Sequence, residues 1–166
     1  MRSIKFSLLI ILLFTVLFEA NAQSKKGTLA TLESVFFVGE HEQEYEKLVV
    51  NYKTLLFTVA DNDMNLAFDE WTNLMKDIEA FSTKSNIDIK GVKVWINVFW
   101  SSNGNIDYIV FHPKPDSKNM DYEAVRSCFA NFIKTYQSPL KYSSKFSHYG
   151  SANFPIFSRS LIGPEK

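Results

Sequence analysis

The residues of this chain best suited to metal or nucleophilic chemistry are His41, His112, His148 and Cys128. No histidine lies three or four residues from another histidine or from the cysteine, the spacing that would put two metal ligands on one helical face. No zinc or iron site is expected, and no cofactor is implied. A G-x-S-x-G nucleophile elbow and a phosphate-cradling glycine loop are both missing from the sequence. Cys128 and His148 are the only cysteine–histidine pairing on offer, and only their residue types connect them. Cys128 falls among Val125, Phe129 and Phe132 with no activating neighbour. It reads as a small apolar residue on a helix rather than a reactive thiol. Asp61-Asn62-Asp63 begins like a calcium loop, but the twelve-residue ligand pattern does not follow. A helix cap is the better account. No catalytic residue is expected, so an enzyme is the less favoured reading.

What remains is a mixed cluster, Phe146 to Ala152, in a serine-rich stretch expected to be a loop from Lys141 to Ser151. The imidazole of His148 and the phenol of Tyr149 suit contact with a ligand or partner, since loops carry function. A turn packed over the end of a sheet would use the same residues.

The elements that position these groups follow from periodicity. Tyr45, Leu48, Val49 and Tyr52 recur at helical spacing, and residues 54–59 fit either a helix or a strand. After the polar break at 61–63, Ala67, Phe68, Trp71, Leu74, Met75, Ile78 and Phe81 form one apolar stripe, the clearest helix of the chain. The period then changes to two. Val92, Val94, Ile96, Val98 and Trp100 alternate with Lys93, Trp95, Asn97 and Phe99, a strand with one strongly apolar face. Asn103-Gly104 predicts a tight hairpin turn with positive φ at both central residues, and Ile106 to Phe111 the returning strand. A helix follows from Asp121, buried through Tyr122, Val125, Phe129, Phe132, Ile133 and Tyr136. Phe154 to Leu161, with Pro155 near its start, reads as a last, edge strand. The expected fold class is α+β: a small antiparallel sheet, hairpin 92–111 plus strand 154–161, packed against amphipathic helices.

Composition bounds the partners. The chain has 166 residues, with 18 Lys+Arg against 18 Asp+Glu. Residues 1–22 have the three parts of a secretory signal: Arg2 and Lys5, an apolar run from Phe6 to Phe18, and Ala20-Asn21-Ala22 before the cleavage point. The run is short of the ~20 residues a spanning helix needs. Cleavage after Ala22 would leave a single domain, 23–166, periplasmic or secreted and not integral to the membrane. Removing Arg2, Lys5 and Glu19 leaves 16 positive and 17 negative residues, so nothing predicts nucleic-acid binding. Aromatic residues make up 15% of the chain, more than enough to fill a core of this size, and some are available for a binding face.

In its order of elements, the stretch 91–157 resembles the C-terminal domain of TonB-type energy transducers. The resemblance is carried by Gly91-Val92-Lys93-Val94, the strand Trp95 to Phe99, the Asn103-Gly104 turn and Ile106 to Val110. It continues through Met120-Asp121-Tyr122-Glu123-Ala124-Val125, Tyr136-Gln137-Ser138-Pro139 and Phe154-Pro155-Ile156-Phe157. That family usually has a membrane anchor and a long Pro/Lys-rich spacer, and neither pattern is present here, so the resemblance implies the fold and a way of binding rather than energy transduction. It implies a partner peptide or protein of the cell envelope added along an exposed strand edge, here Phe154, Ile156 and Phe157, with His148 and Tyr149 nearby. The expected function is an exported, non-catalytic binding module. The alternative is a small-ligand-binding protein or enzyme with a pocket near His148, Tyr149 and His112.

Overall fold

Asp63 sets the start of the longest helix. Its carboxylate accepts hydrogen bonds from the Asn65 and Leu66 amides at 2.8 and 3.2 Å, partners that a helix start otherwise lacks. The helix then runs Met64–Lys84 and buries Ala67, Trp71, Leu74, Met75 and Ile78 along the expected stripe. The computed structural model describes residues 32–118 and 121–157. The proposed leader, 1–22, lies outside the described residues, as does 158–161 of the expected last strand.

In chain order the elements are β1 (Val35–Phe37), α1 (Glu42–Asn51), β2 (Thr54–Leu55), α2 (Leu56–Val59), α3 (Met64–Lys84), β3 (Lys93–Trp100), β4 (Ile106–Pro113), α4 (Tyr122–Phe132) and β5 (Phe146–Asn153). The fold is α+β, with one five-stranded sheet in the order β1-β4-β3-β5-β2. Segment 54–59, which fitted a helix or a strand, divides into two residues of strand and one turn of helix. None of the described helices is long and apolar enough to cross a membrane.

The hairpin forms as expected, β3 pairing with β4 from Val94↔Pro113 to Trp100↔Ile106. Its turn is wider than the two-residue type that Asn-Gly predicts. Ser101 N–H donates to Asn105 O at 2.9 Å, Gly104 N–H to Ser101 O at 3.1 Å, and of Asn103 and Gly104 only the glycine has positive φ, +89°. A Cβ on Gly104 would meet the Ser138 and Leu140 carbonyl oxygens at 2.8 Å. The glycine thus also admits the loop that closes over the turn.

Two expectations about the sheet are corrected. It is mixed rather than antiparallel, because β1 runs parallel to β4 and β2 parallel to β5. Helices intervene between each of these pairs, giving the long crossovers that parallel strands require. The sheet is also buried on part of its second face. Val94, Ile96, Val98 and Trp100 join Ile109, Phe111 and Phe146 in the core that includes Trp71, Leu74 and Ile78 of α3 and Val125 and Phe129 of α4. On the other face Phe36, Phe99 and Val110 pack with Leu48 and Tyr52 from the end of α1. Phe99, at one of the intervening positions, is fully buried.

The C-terminal strand is the largest departure. It lies at Phe146–Asn153, where a loop was expected, and it pairs antiparallel with β3 from Lys93↔Asn153 to Trp100↔Phe146. Phe154 makes two more main-chain bonds, its N–H donating to Val92 O and its carbonyl accepting from Gly91 N–H, both at 2.8 Å, and Pro155–Phe157 then leave the sheet. Phe154 goes into the core and the Ile156 amide donates to Glu79 Oε2 at 3.0 Å, so the residues expected to form an edge strand are tied to the core and to α3.

Candidate functional site

The outer side of β5 is only partly covered. β2 pairs with its first two residues, Thr54↔Phe146 and Leu55↔Ser147. The chain then turns away into α2, and among the described residues no strand continues along β5. Because Phe154 N–H bonds inward to β3 and the register is unbroken, the even-numbered residues of β5 pair inward. The amides and carbonyls of Tyr149, Ser151 and Asn153 therefore point outward.

Side-chain contacts fix the position of β2. Tyr52 at the end of α1 donates through Oη to Asp107 Oδ2 at 2.7 Å, and its carbonyl accepts from Ser147 Oγ at 2.8 Å. Thr54 Oγ1 meets Ser144 Oγ at 3.0 Å. These contacts hold the first two residue pairs, and among the described residues no strand pairs with the next positions of β5.

A cleft of about 340 Å³ opens where β2 ends. Leu55 and Phe57 line it from β2 and α2, and Met64, Ala67, Phe68 and Trp71 from α3. His148 and Tyr149 complete it from β5. Adjacent strand residues point to opposite faces, so this cleft straddles the sheet edge in line with β2. Phe68, expected in the buried stripe of its helix, is instead 48% exposed along this cleft. The His148 ring lies 4.6 Å from the Trp71 ring, and burial lowers its pKa, so the imidazole is neutral at neutral pH. Trp71 also rests on Gly150, where a Cβ would stand 2.8 Å from its ring.

On the other face of β5, Tyr149 stacks beside Trp95, their centroids 6.1 Å apart and planes 15° apart. Lys114 Nζ sits 4.4 Å from the Trp95 centroid and bonds to Asn153 Oδ1 at 3.1 Å. This row of Lys114, Trp95 and Tyr149 stiffens the edge, and Tyr149 keeps 56% of its surface exposed.

Of the residues singled out in the sequence, His148 and Tyr149 come together at the cleft. His112 does not join them. It pairs opposite Trp95 on the face away from His148. Phe154 is core, Ile156 is half-buried and Phe157 is 86% exposed, and none of the three lines the cleft. Cys128 is fully buried on α4, and burial pushes its thiol up to about 11. Among the described residues, no three His, Cys, Asp or Glu side chains are grouped as metal ligands.

Sequence reasoning missed Phe57, Met64, Phe68 and the outward backbone of Ser151. The available signal was the width of the α3 stripe. Phe68 lies at the edge of that stripe and Met64 at its N-terminal end, and both are exposed. Family models, known proteins and solved structures were compared with the chain, and none of them matches it.

Proposed function

We propose that this protein is an exported, non-catalytic binding module of the bacterial envelope that holds a partner peptide by adding it as a strand beside β5. The observation that carries this is the cleft in line with β2, where Tyr149, Ser151 and Asn153 turn their backbone groups outward. An extended segment there would gain main-chain hydrogen bonds from the sheet and selectivity from the cleft. An edge left bare would invite aggregation. The proposed kinship with TonB-type C-terminal domains draws support from the order hairpin, α4, strand, with that strand at Phe146–Asn153 and not at Phe154–Phe157 where the resemblance had it. The export signal at 1–22 belongs to the same proposal.

The test is a proline at Ser151, whose amide faces outward, so the fold should survive. Capture of envelope proteins by immobilised protein should be lost in Ser151→Pro while its melting curve stays close to that of the parent. Undiminished capture would sink strand addition.

A second reading has one observation in its favour. His148 and Tyr149 converge on the same cleft, which has room for a small apolar ligand. Such a ligand would bind Ser151→Pro as well as the parent, and an edge-added peptide would not.

A further inference from the structure

We infer that the partner strand carries one large, uncharged apolar side chain seated in the cleft between Leu55 and Phe68; this rests on strand addition at β5. β2 supplies the precedent. Leu55 pairs through its main chain with Ser147, and its side chain already forms one wall of the cleft. A strand continuing that line would place its next residues against Phe68 and Trp71 from α3 and His148 from β5. Those walls offer apolar surface and a neutral imidazole, with no charged side chain among them. A lysine or carboxylate entering there would be desolvated without a partner. A phenylalanine or leucine would bury apolar area against three rings. The residues that follow it, on the side away from β2, would lie along the outward backbone of Ser151 and Asn153, whose side chains are exposed.

The test uses three acetylated seven-residue peptides of serine and threonine whose second residue is phenylalanine, aspartate or lysine, so that the rest can run along β5 beyond β2, titrated into the purified protein by calorimetry. A fourth is the phenylalanine peptide with alternate amides N-methylated. The phenylalanine peptide should bind at least about tenfold tighter than the charged ones. N-methylation should abolish its binding, and Phe68→Ser, at a position already half exposed, should erase the preference. Equal binding of all three peptides, still lost on N-methylation, overturns the anchor and leaves strand addition standing. No binding by any peptide overturns both. A dimer that Ser151→Pro dissolves, with no peptide bound, overturns the inference in favour of self-association.

Discussion

Trp71 Cζ2 lies 2.8 Å from where the Cβ of any residue other than glycine at position 150 would stand. The indole of α3 is laid on bare backbone of β5, and this contact brings the helix up to the sheet edge where the cleft forms. Gly150→Ala should therefore destabilise the protein by about 1–3 kcal/mol, the usual cost of overpacking. Urea unfolding is the measurement. Combined with Trp71→Leu, the alanine should cost less than it does alone, because the clash is gone. Strict additivity of the two changes would show that the indole and the added methyl do not meet.

Cys128 provides a check on the core. Its thiol is fully buried and held near 11 by burial alone, so very little thiolate exists at neutral pH. Native protein at pH 7.5 should react with a thiol reagent only at the rate at which it unfolds. The same reagent should label the chain at once in concentrated guanidinium. Rapid labelling of the native state would mean that α4 does not seal this position.

His148 makes stability depend on pH. Burial lowers its folded pKa below the ordinary value of about 6.5. Above that value both states are neutral and its contribution is complete. As pH falls through about 6.5 the unfolded chain takes up a proton that the folded chain refuses, so stability declines until the folded pKa is reached. Unfolding free energies of the parent and of His148→Gln, measured from pH 8 to pH 5, should converge or cross toward the acid end. A constant gap between them would mean that the imidazole is solvated.

How much of this was legible depended on whether local pattern or distant partners decided the structure. α3 was readable because Asp63 caps it and its stripe repeats over 21 residues. α4 was readable for the same reason, with Asp121 accepting from the Glu123 and Ala124 amides. The hairpin followed from alternation and from Asn103-Gly104, though the contact of Gly104 with the 138–140 loop widened the turn. β5 was hidden because Ser147, Gly150, Ser151 and Asn153 have poor strand propensity. Those small residues are what the tertiary structure needs: Gly150 admits Trp71, and Ala152 lies at the floor of the core. Phe154 to Phe157 have better strand chemistry, yet Phe154 is drawn into the core and Glu79 holds Ile156. Of the candidate site, His148 and Tyr149 were visible as chemistry, but the edge beyond β2 was not, because it depends on where β2 ends.

The shortness of β2 has a kinetic side. Two residue pairs join positions 54 and 146, so β2 closes a loop of roughly ninety residues through a very short stretch of strand, with the bonds of Tyr52 and Thr54 beside it. The hairpin, with near neighbours in sequence, is positioned to form early, and the β2 clasp to form last and open first. Amide hydrogens around Leu55 and Ser147 should accordingly exchange well before those of β3, and an added strand beside them would slow that exchange from the edge inward.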